Sequence, residues 1–306
     1  MTFQDELLRV AAAVERQLEE TLGETAQAGE VVRPPRLMAA MRHGALGGGK
    51  RLRPMLVVAA ARAVGGDEAA AIRVGTAIEL LHCYSLVHDD LPAMDNDDLR
   101  RGRPTVHKAF DEATAILAGD GLLTLAFAVL GDPKTHPDAG VRADLVTGLA
   151  RAAGAGGMVG GQMLDLAAEG RFGEGSPARL SEAEIRRLQA MKTGALIAFS
   201  VEAGAIVGGA DGKTRETLRR FGEMIGLAFQ IADDLLDVSA DATVVGKATG
   251  KDAAHGKATL VALHGAPAMR SELTRLVAAA EARLAPFGGK ADLLRQSARF
   301  VAQRDH

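Results

Sequence analysis

Residues 227–238 read LAFQIADDLLDV, and the spacing of their side chains points to one regular structure. Gln230, Asp233, Asp234 and Asp237 stand at i, i+3, i+4 and i+7, which places all four on one face of an α-helix. Leu227, Ile231, Leu235 and Val238 line another face. The period-2 alternation of a strand is missing. Taken alone, this helix with three carboxylates on one side also fits a solvated surface helix.

The same period runs through the rest of the chain. It predicts helices over roughly 4–22, 36–46, 54–64, 68–91, 111–130, 140–154, 156–168, 181–191, 194–208, 214–238 and 268–284. Gly and Pro punctuate them at Gly65-Gly66, Pro92, Gly131 to Pro133, Gly170 to Pro177 and Gly208-Gly209. Short connections favour an all-α bundle of antiparallel neighbours. No linker divides the chain, so 1–306 is read as a single domain. The stretch 239–258 is different. Its steps Gly246-Lys247, Gly250-Lys251 and Gly256-Lys257 read as a mobile basic loop.

Composition excludes several functions. The chain has 306 residues, 47% hydrophobic and only 3% aromatic, which suits closely packed helices of Ala and Leu. A net charge of −3 lacks the basic excess of a nucleic-acid binder. Cys83 is the single cysteine, so neither an internal disulfide nor a thiolate metal site can form. The first residues carry mixed charges, unlike a signal peptide. No run of about 18 apolar residues is free of charge, so no membrane span is expected. A cytoplasmic location is the resulting expectation.

A second acidic cluster, His88-Asp89-Asp90-Leu91-Pro92-Ala93-Met94-Asp95-Asn96-Asp97-Asp98, ends the largely apolar stretch Ala69 to Leu91. His82, Ser85 and Asp89 share a face there. Pro92 disfavours helix at Leu91, so the chain should loosen and Asp95 should reach back from a turn. Two acidic patches on inner helices repel unless something offsets them. Divalent cations do so, and carboxylates without a nearby thiol select Mg²⁺ or Mn²⁺. Arg100, Arg101 and Arg103 follow this cluster at once. Gly47-Gly48-Gly49-Lys50-Arg51-Leu52-Arg53-Pro54 opens an earlier helix, with Pro54 in its first turn. Free amides at that helix start, with Lys50 and Arg53, form a metal-free diphosphate cradle. Gly44 to Lys50 also matches the start of a P-loop. Arg51 then stands where the metal-binding Ser or Thr belongs, and the preceding 36–43 reads as a helix, not a buried strand.

Together these residues resemble the trans-prenyltransferases, and most closely bacterial-type farnesyl diphosphate synthases. The likeness runs from about Leu37 to Thr259. It is densest in GGKRLRP (48–54), LHCYSLVHDDLPAMDNDDLRRGRPT (81–105), AGDGLLTLAF (118–127), GGQMLDL (160–166), KTGALI (192–197) and FQIADDLLD (229–237). The resemblance implies an all-α isoprenoid-synthase bundle of about ten or more helices around a deep central cavity, usually a homodimer. It implies about three Mg²⁺ ions, held chiefly by Asp89, Asp95 and Asp233, with Asp90, Asp234 and Asp237 acting directly or through water. Arg100, Lys192, Thr193, Gln230, Lys247 and Lys257 would contact the allylic diphosphate, and Lys50, Arg53, His82 and Arg101 the isopentenyl diphosphate. Catalysis would rest on Asp89, Asp95, Arg100, Lys192 and Asp233. Tyr84, five residues before Asp89, would be the floor that stops growth at farnesyl diphosphate. Helical arithmetic instead places Ser85 beneath Asp89. His43 departs from the family, which usually has Tyr there, and the stretch after Gly265 matches weakly. The alternatives are a geranylgeranyl diphosphate synthase, or a non-catalytic partner subunit of such an enzyme.

Overall fold

The structure, a computed structural model, describes residues 2–172, 180–244 and 259–303, with side chains in the second span described to Val238. Helices dominate it, and their starts follow capping chemistry. Helix α1 (Phe3–Thr21) opens on a capping box between Thr2 and Asp5, and α9 (Glu182–Gln189) on one between Ser181 and Glu184. Asp67 caps α4 (Glu68–Asp89), Asp111 caps α6 (Glu112–Gly131) and Asp138 caps α7 (Ala139–Ala153). The remaining long helices are α2 (Pro35–Ala45), α3 (Leu52–Val64), α8 (Met158–Ala168), α10 (Ala195–Val207), α11 (Gly212–Val244) and α13 (Ala266–Arg283). A π-turn, Ala190–Gly194, joins α9 to α10.

The all-α expectation holds, with one small exception. Strands β1 (Leu99–Arg100) and β2 (Arg103–Pro104) pair antiparallel across Arg101 and Gly102. Both central residues have positive φ, 54° and 74°, as a two-residue hairpin of right-handed twist requires. Residues beyond the predicted helices also coil: α5 (Val106–Ala109), α12 (Leu260–His264), a 3₁₀ segment Ala285–Ala291 and α14 (Asp292–Ala302). Helix α14 buries Leu294, Ser297, Ala298 and Val301, a 3- and 4-residue spacing that periodicity alone could have found. The expected loop from 239 is also corrected, since α11 continues to Val244. The rest of that stretch, with Lys247, Lys251 and Lys257, lies outside the described residues.

Two apolar clusters fill the interior. One gathers α1, α2, α4, α6 and α7. The other gathers α11, α13 and α14. Helices α3 and α10 contribute side chains to both and so tie them together. Three helical stretches, Glu68–Asp89, Glu112–Gly131 and Glu182–Val207, are apolar and long enough to cross a membrane. Each still carries charge within its apolar stretch, at Glu79, Asp120 and Glu202, so none is the charge-free run of about 18 residues that a span was expected to need. In the first and third, 67% of the apolar window is buried inside the protein, where it serves the core. In α6 the share is 44%, which leaves an apolar face uncovered.

Candidate active site

Helix α4 ends where Pro92 requires it to. Asp90 is its C-cap, and the Asp95 amide donates to the Asp89 carbonyl at 2.8 Å, so the turn folds back as expected. Asn96 completes the turn with φ 55°. Asp89 therefore leaves the last helical turn with Asp95 beside it. Burial pushes the Asp89 carboxyl up to about 6. Lys192 and Arg100 oppose that shift, and the charges of Asp95 and Asp90 reinforce it. Asp90 points elsewhere: its carboxylate is 2.5 Å from the Arg100 guanidinium and almost fully buried. Asp97 reaches Arg100 at 3.4 Å, and Asp98 pairs with Lys108 at 2.8 Å.

Lys192 comes from the π-turn. An extra residue in a helical turn shifts the register of the helix after it, and such turns recur at functional sites. The turn lies close against α8, where Gly161 leaves no room for a Cβ beside the Lys192 backbone. The Lys192 ammonium pairs with Asp165 of α8. Burial alone would lower it; Asp165, Asp89 and Asp95 together raise it. Thr193 is half-buried in the same turn. On α11, Asp233 is half-buried, Asp237 is exposed, and the nearly buried Asp234 accepts from Gln189 Nε2 at 3.0 Å. Val238 is 47% exposed, so the apolar face of that helix ends at Leu235.

The cation side is built differently. Gly47, Gly48 and Gly49 take φ of 117°, 98° and 131°, a path closed to side chains with a Cβ. Arg101 donates to the Gly48 carbonyl, and Arg103 donates to the Leu46 carbonyl at 3.0 Å. Arg103 also meets His43 Nδ1 at 3.2 Å, while His43 Nε2 lies 2.7 Å from the Pro104 carbonyl. The unexpected histidine thus fastens α2 to the hairpin. Helix α3 begins at Leu52 with no side-chain hydrogen bond at its cap, and a helix start of this kind favours an anion.

Lys50, Arg53, His82 and Arg101, the four residues assigned to one diphosphate, line a single cavity of about 530 Å³. Burial, then the charges of Arg53, Arg101, Arg51 and Arg100, hold the His82 imidazole neutral, well below the usual histidine range. Phe229 of α11 and Phe300 of α14 complete the wall, with Lys50 Nζ 5.9 Å from the Phe300 ring centroid. Sequence reasoning missed both phenylalanines, and also Arg51 and Glu79, which line the same cavity. Glu79 carried a signal, since a lone carboxylate within an apolar run needs a buried partner.

The polyprenyl synthetase family model matches residues 34–285. The chain belongs to that family. It is 44% identical to the farnesyl diphosphate synthase of Geobacillus stearothermophilus, over 89% of this chain and 90% of that one. It is 42% identical to geranylgeranyl pyrophosphate synthase 9 of Arabidopsis thaliana, over 90% of this chain and 76% of that protein. Among solved structures, an FPP/GFPP synthase from Zymomonas mobilis superposes with a TM-score of 0.86, at 47% identity and 98% coverage of both chains. Members of the polyprenyl synthetase family are thus the chain's neighbours in sequence and in fold.

Tyr84 is 7% exposed and stands edge-on to His88, ring centroids 5.6 Å apart. His88 in turn lies 3.0 Å from the Ile116 carbonyl of α6. Ser85 Oγ donates to the His82 carbonyl at 2.9 Å, a local helical bond. Gln230 is half-buried on α11.

Proposed function

We propose that this prenyltransferase condenses isopentenyl diphosphate head to tail with dimethylallyl and geranyl diphosphates, giving farnesyl diphosphate. The observation that carries the reading is the single cavity shared by Lys50, Arg53, His82 and Arg101. It is a cationic site suited to a diphosphate, and Arg100 and Arg101 connect it in sequence to the carboxylates of the α4 terminus. The allylic diphosphate is assigned to Arg100, Lys192, Thr193 and Gln230, together with Lys247 and Lys257 beyond the described residues.

Among the described residues no three acidic, imidazole or thiol groups converge into a closed metal cage. The donor set nevertheless fits Mg²⁺. It is all oxygen, and Asp89 is crowded by Asp95 and Asp90. Mg²⁺ is commonly held by one or two carboxylates plus substrate phosphates. We assign it to Asp89, Asp95 and Asp233, with Asp90, Asp234 and Asp237 in support. Once bound, it would offset charge on the departing diphosphate. In the reaction the allylic C–O bond breaks and its electron pair leaves with the diphosphate. The isopentenyl double bond attacks the resulting cation, and a proton is lost. Lys192 and Arg100 are the protein's own cations for the developing anion. A neutral His82 offers an N–H to the second diphosphate without adding charge to an already cationic cavity.

Further parts of the reading rest on the same features. The uncovered face of α6, with Ile116 45% and Leu117 58% exposed, suits a homodimer. A single buried cysteine suits the cytoplasm. Tyr84, held against His88, is assigned as the floor that limits the product. The second reading is a longer product, favoured by relatives that include geranylgeranyl diphosphate synthases and an FPP/GFPP synthase.

The test is incubation with isopentenyl diphosphate and each of the dimethylallyl, geranyl and farnesyl diphosphates, with Mg²⁺ or with chelator. Products are dephosphorylated and sized. Mg²⁺-dependent fifteen-carbon alcohol is the expected result, and Tyr84→Ala should lengthen it by at least one isoprene unit. A twenty-carbon product from the unmodified enzyme overturns the farnesyl assignment, and no condensation brings forward the non-catalytic subunit.

A further inference from the structure

Arg51 stands between two residues assigned to a diphosphate, yet its own chemistry is directed inward. Its guanidinium is 1% exposed. Nη1 donates to Glu79 Oε1 at 2.6 Å; Nη2 donates to Glu15 Oε2 at 2.6 Å and to the Ala45 carbonyl at 2.7 Å. Protein acceptors occupy both ends of the fork, so little remains for a substrate phosphate. Burial opposes the charge, and Glu79 and Glu15 hold it in place. The backbone is equally specific. Arg51 is the N-cap of α3 and sits at φ 46°, ψ 40°, a left-handed conformation disfavoured for a residue with a Cβ. Such a conformation persists where surrounding contacts fix it.

Those contacts span three helices. Glu79 is one turn before His82 on α4. Glu15, on α1, accepts from the Gly47 amide at 3.4 Å as well as from Arg51. One carboxylate thereby grips both ends of the loop 47–51 that carries Lys50. We propose that Arg51, clamped by Glu79 and Glu15, is a positioning residue for the isopentenyl diphosphate site. It fixes the loop and the first turn of α3 so that Lys50 and Arg53 meet His82 across the cavity. The inference rests on the reading of that cavity as the isopentenyl diphosphate site.

The experiment is calorimetric titration of isopentenyl diphosphate alone, with inorganic pyrophosphate as a second probe, plus the KM for each substrate. Glu15→Gln alters the half-exposed member of the clamp. The pair Arg51→Met with Glu79→Leu replaces the buried ion pair by apolar volume, a change that often preserves stability. Both should weaken isopentenyl diphosphate binding, by roughly tenfold in the pair, with the allylic KM and the melting temperature little moved. Arg51→Lys, which keeps charge but not the fork, should restore only part of the loss. Unchanged isopentenyl affinity in a folded pair variant overturns the inference, as does loss of both KM values in step with melting temperature. Should the pair variant not fold, unchanged affinity in Glu15→Gln overturns it. Arg53→Gln is the separate check: if it leaves binding intact, the cavity reading itself fails.

Discussion

The carboxylate side and the cation side of this site are held in opposite ways. Asp89 closes α4 and Asp233 lies within α11, both on ordinary helical backbone. Their placement follows from how long helices pack. Lys50 and Arg101 stand on short, bent backbone instead: three successive glycines with positive φ lead to Lys50, Arg51 follows at 46°, and Arg101 at 54° precedes Gly102 at 74°. Helical periodicity fixes the first group, while local contacts fix the second. Damage to the first should therefore act on chemistry with the fold intact. Damage to the backbone of the second should act on substrate affinity and local stability together.

The largest effect should come from the carboxylates. Asp89→Asn or Asp233→Asn keeps shape and helix but removes the charge and one of the two carboxylate oxygens assigned to Mg²⁺. Turnover should fall by about 10²–10³ or more, while the circular-dichroism melt stays close to that of the parent. Near-normal turnover in either variant would remove that residue from the metal assignment. The cation side should respond differently. A Cβ at Gly49 would lie 2.7 Å from Arg101 Nη1, on backbone with φ 131°. Gly49→Ala should cost ~1–3 kcal/mol of stability and raise the isopentenyl KM by roughly tenfold. Its control is Gly131→Ala, where nothing lies within 4 Å of the new Cβ. If both glycine variants bind isopentenyl diphosphate alike, the strained loop is not what sets affinity.

The same contrast explains how much the sequence could show. The i, i+3, i+4, i+7 spacing located α11 and its carboxylates, and Pro92 located the turn that returns Asp95 to Asp89. Periodicity and proline chemistry are local, so one sequence suffices. Partners distant in sequence were not legible. Nothing near Asp90 indicates that its carboxylate turns to Arg100 while Asp89 faces Lys192. Phe300 reaches the cavity from the far end of the chain, through α14, whose amphipathic spacing was present but unread. Glu15 and Glu79 close on Arg51 only once α1, α3 and α4 have packed. The π-turn that carries Lys192 leaves no mark in composition at all.

The smallest effect tests whether the cation side is as rigid as its contacts imply. Cys83 packs on α4 beside the Arg51 cluster, its Sγ 3.9 Å from Nη1. Burial, then Glu79, pushes its thiol up to about 12, against an opposing pull from Arg51 and Arg101. A raised thiol value means less thiolate at any pH below it. At pH 8 the reactive fraction should be reduced roughly thousandfold relative to an ordinary cysteine. Iodoacetamide should therefore label the folded enzyme far more slowly than the urea-unfolded chain, with no change in activity over the same time. Rapid labelling of folded protein at pH 8 would mean that the seam between α3 and α4 opens readily. The bent loop would then owe its shape to something other than rigid packing, and the contrast between the two sides would narrow to one of charge alone.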